Sequence, residues 1–201
     1  MLISLAAWSQ QLQPMKDVDA FKRKVQEASG NISSIESAFV QEKHLAALAE
    51  PGLSSGTFYY SSGAKVRWEY SEPRPQSIIL NDGKFTMLEN GTEVRTGARA
   101  ARAYQRINAL MAEVIHNNTF GDDAFEYDFL HDGVHAVVRM TPTDRNMAEH
   151  VSHMELFFAD DYRVREMRMT AANGDFTVYR FSNQVYNQPV SAEVFKPEPL
   201  R

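Results

Sequence analysis

The sequence predicts a mainly β fold (α+β): a strongly curved antiparallel sheet of about 9–11 strands, with helices over its concave face. Two observations support this prediction. Runs of alternating apolar and polar residues recur at close spacing between Asp-Gly and Asn-Gly pairs, which favour tight hairpins. Apolar residues spaced three and four apart, the helical pattern, occur in two longer segments. A sheet of this many strands curls because its twist accumulates, and its concave face then needs a covering layer.

The composition indicates one domain. A chain of 201 residues that is 43% hydrophobic can bury one sizeable core. The formal charge of −5 and the absence of any Lys or Arg run argue against nucleic acid as a partner. Zinc-ribbon sites and thiol nucleophiles are excluded because the chain has no cysteine. We expect residues 1–16 to be a signal-peptide remnant and linker, and residues 17–201 to form a single domain.

The apolar run from Met1 to Trp8 is much too short to span a bilayer. Ala7 and Ser9 place small residues where a signal peptidase would cleave, although the usual basic n-region is absent. This pattern favours export. A disordered or packed N-terminal segment is the alternative.

The first predicted elements are a helix and a strand. Asp17 is a good N-cap, and the apolar spacing from Val18 to Ala28 predicts an amphipathic helix of about three turns. Ile35 to Lys43 then has the pattern of a strand with Phe39 on its apolar face.

The stretch from Leu53 to Lys84 is the centre of the predicted sheet. Its middle run, Ala64 to Tyr70, alternates in the manner of a half-buried strand. The Asp82-Gly83 pair predicts a tight hairpin after the next strand. One face of the middle run is aromatic and the opposite face charged: the first carries Val66, Trp68 and Tyr70, and the second carries Lys65, Arg67 and Glu69.

The second predicted helix runs from Ala98 to Asn117 and is the more apolar of the two on one face. Period two then returns in a second Asp-Gly hairpin, with Val134, Ala136, Val138 and Met140 expected on one face. The last predicted strands carry Met154, Leu156 and Phe158 on a shared face, and then span Val164 to Thr170 and Phe176 to Val185.

Five short motifs follow one another in order along the chain. They are Phe39-x-Gln41-x-Lys43, Gly56-x-Phe58, Arg67-Trp68-Glu69-Tyr70-x-x-Pro73, Ile79-x-Asn81-Asp82-Gly83-Lys84 and a closing Phe195-x-Pro197. In this order and spacing they resemble the LolA-like family of periplasmic outer-membrane lipoprotein carriers, and the match covers roughly Val18 to Pro197.

The resemblance implies an unclosed β-barrel with helices as a lid over an apolar cavity. It implies a soluble periplasmic chaperone that holds lipoprotein acyl chains and shuttles lipoproteins from the inner to the outer membrane. An inner-membrane release complex and an outer-membrane receptor would be its partners, with no cofactor. Well-studied members have a basic residue just before the Trp-bearing strand that ties the lid to the barrel. This chain has Ser61-Ser62-Gly63 there, so the same latch is not implied.

The residues expected to line the acyl cavity come from the apolar faces of strands and of the second helix. A dry core, in which helix and sheet simply pack together, is the alternative interpretation of the same pattern. The predicted lining residues are Phe39, Phe58, Tyr60, Val66, Trp68, Tyr70, Leu80, Met87, Tyr104, Ile107, Leu110, Met111, Val114, Met154 and Leu156.

Two other function classes stay open. A lipid- or lipoprotein-sensing interaction module of the cell envelope could use the same fold. An enzyme would need a polar cluster in the pocket, and the sequence offers no catalytic candidate. His150-x-x-His153 has a spacing similar to that of metal ligands, but positions three apart in a strand point to opposite faces, so we expect no metal site.

Overall fold

The computed structural model describes residues 12–95, 97, 120 and 123–200. Within them, the structure has a twelve-stranded antiparallel sheet, a three-turn helix α1 (Val18–Ser29) and a one-turn helix α2 (Arg145–Ala148). A short 3-10 helix spans Ala192–Phe195. The strands are β1 (Gln13–Pro14), β2 (Ser34–His44), β3 (Gly52–Ser61), β4 (Lys65–Glu72), β5 (Gln76–Asn81), β6 (Lys84–Glu89), β7 (Thr92–Glu93), β8 (Phe125–His131), β9 (Ala136–Pro142), β10 (Val151–Phe158), β11 (Val164–Ala171) and β12 (Phe176–Tyr186).

The sheet order is β1-β8-β9-β10-β11-β12-β2-β3-β4-β5-β6-β7, and the sheet is not closed into a barrel. Its two edge strands, β1 and β7, are each two residues long. The predicted fold class is therefore confirmed, and the longer strands fall within the expected number. β1, which lies in the segment expected to be a linker, pairs with β8.

Helix α1 lies against one face of the sheet, which we call the inner face. The Asp17 carboxylate caps the helix by accepting a hydrogen bond from the Ala20 N–H at 2.9 Å, as predicted. Phe21 packs its ring 5.1 Å from that of Phe158 in β10 and 6.2 Å from that of Phe129 in β8. The amphipathic pattern therefore places the apolar side of α1 on the β8–β10 half of the inner face.

The first of the two predicted Asp-Gly hairpins is confirmed. Asp82 and Gly83 both adopt positive φ (49° and 75°), the geometry of a two-residue hairpin turn. The second Asp-Gly hairpin differs from its prediction. Asp132 accepts hydrogen bonds from the N–H groups of Val134 and His135, which makes a longer loop. Val134 is therefore 70% exposed in the loop and does not share a strand face with Val138.

The alternation in β4 predicts a half-buried strand, but the structure also buries Arg67 on its charged face. Arg67 is 0% exposed because the segment after β12 folds back across the outer face of the sheet. Phe195 in the 3-10 helix of that segment is also buried. Arg67, a charged residue in an alternating strand, is therefore buried and binds the C-terminal segment to the sheet.

Some predictions fall outside the described residues: the second helix, with Tyr104 to Ile115, and the apolar run Met1 to Trp8. Among the helices that the structure describes, none combines the length and the apolar character needed to cross a membrane.

Candidate functional site

The centre of the inner face is a cluster of six aromatic rings, which we call the aromatic cluster. Strand register places its members side by side on adjacent strands, with Phe58 opposite Trp68 and Phe181 opposite Phe39. The Trp68 ring lies 4.6 Å from Phe58 and 5.0 Å from Phe39, centroid to centroid. These separations are typical of favourable aromatic pairs. The cluster consists of Phe39, Phe58, Trp68, Tyr70, Tyr179 and Phe181.

Gly56 makes room for part of this cluster. It lies in β3 between Phe39 of β2 and Tyr70 of β4 in register. Because Gly56 has no side chain, the Phe39 and Tyr70 rings meet across it at 5.0 Å. A Cβ on Gly56 would overlap the Glu69 carbonyl oxygen. The Gly56-x-Phe58 motif therefore combines a close backbone approach with a ring of the cluster.

Four rings of the aromatic cluster are buried, and the other two, Tyr179 and Phe181, are partly buried. Phe39 and Phe58 are each 1% exposed and Trp68 is 4% exposed. Nearby Tyr60 is also buried, and its burial raises the pKa of the phenol to about 12. Tyr60 is therefore neutral at physiological pH, and this part of the inner face is apolar and uncharged.

An open cleft of about 420 Å³ adjoins the aromatic cluster on the same face. That volume is typical of a small-molecule site, ~300–1,000 Å³. Tyr70 and Tyr179 of the cluster form part of the cleft lining, together with Ile78, the register partner of Trp68. The cleft and the cluster thus share residues. The cleft lies where β2, β4 and β6 end, beside the Pro73 to Pro75 connection.

The rest of the cleft lining is polar and balanced in charge. Lys43 and Arg74 contribute two cations, and Glu72 and Glu89 contribute two carboxylates. Four neutral polar residues complete that part of the lining: Gln41, Ser54, Gln76 and Asn90.

A hydrogen bond fixes one of these neutral side chains, Gln41, and a second, Gln76, has only a weak contact. The Gln41 amide donates to the Tyr179 hydroxyl at 2.8 Å. The Gln76 amide lies 3.5 Å from the Met87 sulfur, and a thioether is a weak acceptor.

A second apolar region covers the β9–β11 part of the inner face and is rich in methionine. Met154 pairs in register with Met140 on one side and Met169 on the other, and Leu156 pairs with Met167. Met140, Met154 and Met167 are each no more than 2% exposed. In the sheet order, β12, β2 and β3 separate this methionine region from Trp68 in β4.

The structure places the described members of the predicted lining on one face but not in one place. Met154 and Leu156 lie in the methionine region, apart from the others. The strands β2–β6 supply the larger group: Phe39, Phe58, Tyr60, Val66, Trp68, Tyr70, Leu80 and Met87. Tyr104, Ile107, Leu110, Met111 and Val114 lie outside the described residues. Contact of any of these residues with a ligand stays a prediction.

The sequence-based prediction missed two rings of the aromatic cluster, Tyr179 and Phe181, and every residue of the cleft lining except Tyr70. Tyr179 and Phe181 alternate with Val178 and Arg180 in a predicted strand, so period two alone could have put both rings in the cluster. Ile78 could have been found from its spacing to Leu80 in the same way. Gln76 gave no apolar signal, and its place in the cleft depends on how the strand ends meet.

Outside the cleft, ionisable groups in the described part of the chain form ion pairs. Among the described residues, no group of three or more His, Asp or Glu side chains could hold a metal ion. On the outer face, the guanidinium of Arg180 hydrogen-bonds to Glu42 and lowers the pKa of that carboxyl. Arg180 also pairs with Glu166 at 2.9 Å. This network links β2, β12 and β11 and serves the sheet itself.

Comparisons with known proteins agree with this architecture. The family model described as outer membrane lipoprotein carrier protein LolA matches residues 30–198. No curated protein sequence matches the chain. The solved structure of MucB is 14% identical with a TM-score of 0.50, and the match covers 90% of this chain and 63% of that chain. At this identity the similarity is one of fold.

Two further solved structures are similar. A LolA superfamily protein from Nitrosomonas europaea is 12% identical with a TM-score of 0.45, covering 88% of this chain and 96% of that one. Lipoprotein LppX from Mycobacterium tuberculosis is 11% identical with a TM-score of 0.44, covering 86% and 96%.

Proposed function

We propose a function from the premise that this chain belongs to the LolA family of outer membrane lipoprotein carrier proteins. The protein carries lipoproteins across the periplasm. It would hold their acyl chains on the inner face, receive them from an inner-membrane release complex and pass them to an outer-membrane receptor. The role is binding and transport rather than catalysis.

The observation that supports this proposal most is the aromatic cluster beside an open cleft. Each exposed methylene costs ~0.8 kcal/mol, so a fourteen-carbon acyl chain in water represents ~10 kcal/mol. A carrier must cover that surface and still release it. Rings such as Phe58 and Trp68 can part to admit an apolar chain, because the dispersion attraction between the rings is then replaced by attraction between each ring and the chain.

The methionine region supports an adaptable second part of the site. Met side chains are unbranched and polarisable, so they adjust to acyl chains of different length and position. The row Met140, Met154 and Met169 would lie under a chain that extends from the aromatic cluster across the sheet.

A binding comparison of matched variants tests the site. Trp68→Leu removes the ring at the centre of the cluster, and Phe157→Leu removes a ring that register places on the outer face of β10. We expect Trp68→Leu to weaken binding of a palmitoylated lipopeptide at least ~10-fold, and Phe157→Leu to leave it unchanged. Circular dichroism checks that both variants are folded.

A second variant keeps the test decisive if Trp68→Leu does not fold. Phe181 is less buried than Trp68, so Phe181→Leu removes a ring of the cluster at a lower structural cost. Unchanged lipopeptide affinity in folded cluster variants would contradict the proposal and favour a dry core.

The cargo is identified by mass spectrometry on protein purified gently from its own periplasm. A bound acylated lipoprotein is the expected result. An empty protein that also fails to bind a fluorescent fatty acid would favour the alternative, an envelope-sensing interaction module on the same fold.

A further inference from the structure

The cleft beside the aromatic cluster is lined by both charged and neutral polar side chains. Its polar lining is mixed: two cations, Lys43 and Arg74, lie with two carboxylates, Glu72 and Glu89. A carboxylate or phosphate placed in the cleft would be attracted by the cations and repelled by the carboxylates. The cleft therefore offers an anionic head group little net electrostatic gain.

The neutral polar groups of the cleft suit an uncharged acceptor better. Gln41 and Gln76 each carry an amide with two N–H donors. Gln41 uses one donor on the Tyr179 hydroxyl, which fixes its side chain at the border of the aromatic cluster. Gln76 directs a donor to the Met87 sulfur, a weak acceptor that a carbonyl oxygen would readily replace.

The position of these amides matches the anatomy of an acylated cargo. Gln76 lies two residues before Ile78, and Ile78 pairs with Trp68 of the aromatic cluster. Gln41 lies two residues after Phe39 on the same face of β2. Each amide is therefore one pleat away from the apolar rings. In an acylated molecule the carbonyl is likewise the first polar group at the end of the acyl chain.

We propose that the cleft binds the neutral carbonyl linkage of the acylated cargo, an ester or amide, through hydrogen bonds donated by the Gln41 and Gln76 amides. This inference rests on the proposed function, because it assigns the polar end of a ligand whose chains occupy the aromatic cluster. It names the ligand class as carbonyl-linked acyl groups, whatever larger molecule carries them.

The test compares the affinities of ligands that differ from one another in one feature each. Each ligand is titrated against the full chain loaded with the neutral fluorescent probe N-phenyl-1-naphthylamine, and displacement of the probe measures binding. Dipalmitoylglycerol has ester carbonyls, and dihexadecylglycerol has the same chain length with ether links. Dipalmitoyl phosphatidylglycerol adds a phosphate, and a diacylglyceryl lipopeptide adds a peptide. The last two distinguish a phospholipid source of the ester from a lipoprotein source.

We expect the ester to bind about 10-fold more tightly than the ether, the equivalent of one good hydrogen bond. Gln76→Met, which keeps the side-chain volume without the donors, should remove most of that preference and leave the ether affinity unchanged. Gln26→Met on the exposed side of α1 is the matched control and should change neither affinity. The double variant Lys43→Gln/Arg74→Gln should leave dipalmitoylglycerol binding within about 2-fold.

Several outcomes would overturn the inference. Equal affinity for ester and ether, or a Gln76→Met loss that is the same for both, would mean that the cleft does not recognise the carbonyl. Tighter binding of the phosphatidylglycerol that the Lys43→Gln/Arg74→Gln variant abolishes would mean an anion site. In both cases the acyl chains still bind and the proposed function stands. If no lipid displaces the probe, the proposed function itself fails.

Discussion

Two adjacent residues of β4, Arg67 and Trp68, are both removed from solvent, but by opposite chemistry. Trp68 points to the inner face, where its ring contacts the rings of Phe39 and Phe58. Arg67 points to the outer face, where its guanidinium donates to the Val194, Lys196 and Glu198 carbonyls at 3.0–3.1 Å. It also donates to Glu69 at 2.7 Å and to Ser77 at 3.1 Å.

This difference indicates on which face of the sheet the packed side chains can separate at lower cost. Parting the rings of the inner face exposes apolar surface that an acyl chain can cover again. Separating the C-terminal segment from Arg67 would leave a buried charge and several carbonyls without partners, which is costly. We therefore expect the outer face to stay fixed around Arg67 and the inner face to be the one that admits a ligand.

The largest loss of stability is expected from replacing Arg67, which binds the C-terminal segment to the outer face. Arg67→Met keeps an apolar chain of similar length but deletes every hydrogen bond that Arg67 donates to Glu69 and to the C-terminal segment. We expect the free energy of unfolding to fall by ~3–5 kcal/mol, because three backbone carbonyls of the C-terminal segment and the Glu69 carboxylate lose their donor. Urea denaturation measures it.

Lys65→Met is the matched control for Arg67→Met. Register puts Lys65 on the same face of β4, but Lys65 is only partly buried. We expect it to change stability by less than ~0.5 kcal/mol. Similar losses in the two variants would mean that the outer-face network contributes no more than an ordinary surface charge.

The second largest loss of stability is expected at Gly56, where the β3 and β4 backbones approach closely beneath the aromatic cluster. Gly56→Ala would force the β3 and β4 backbones apart at Glu69, so we expect a loss of ~2–3 kcal/mol and weaker lipopeptide binding. In the same strand, a Cβ on Gly52 would have its nearest neighbour at 3.9 Å, so Gly52→Ala should be nearly neutral. Equal stability of both variants would show that β3 and β4 separate without cost.

The inner face was the more predictable of the two because its signal is local. Alternation in β4 is enough to put Val66, Trp68 and Tyr70 on one apolar face, and the Asp-Gly pair is enough to place the next hairpin. The outer face could not be predicted in this way. Arg67 receives its cover from Val194, 127 residues away in sequence, and alternation alone assigns a charged side chain to solvent.

The candidate site was predicted in part for the same reason. Ring positions follow from strand periodicity, so Phe39 and Phe58 were placed correctly on the inner face. The cleft requires the ends of several strands to meet beside the Pro73 to Pro75 connection, and no local pattern encodes that meeting. The separation of Met154 from Trp68 likewise follows from the strand order and not from any single strand.

The smallest change in stability is expected at Asp175, whose hydrogen bonds join two loops. The Asp175 carboxylate accepts hydrogen bonds from the Ala46 N–H and the Asn173 amide, both at 2.8 Å, and these lower its pKa. A lowered folded-state pKa means that the carboxylate adds stability above its unfolded-state pKa, and that this contribution disappears as the pH falls through the folded-state pKa.

Asp175→Asn should therefore be slightly less stable than the parent protein at pH 6, and the difference should shrink as the pH falls below the ordinary Asp pKa of about 3.9 and through the lowered folded-state pKa. Urea denaturation across this range measures it. A difference that stays constant with pH would mean that the ionised form of Asp175 has no special role.

The measurement that tests the central claim most directly is quenching of Trp68 fluorescence by a brominated acyl chain. The chain has two tryptophans, so Trp8→Phe leaves Trp68 as the single emitter. Bound lipopeptide with brominated palmitoyl chains should quench Trp68 strongly, while the unbrominated lipopeptide should not. Saturable binding of the brominated lipopeptide without quenching would place the acyl chains away from the aromatic cluster and contradict the proposed site.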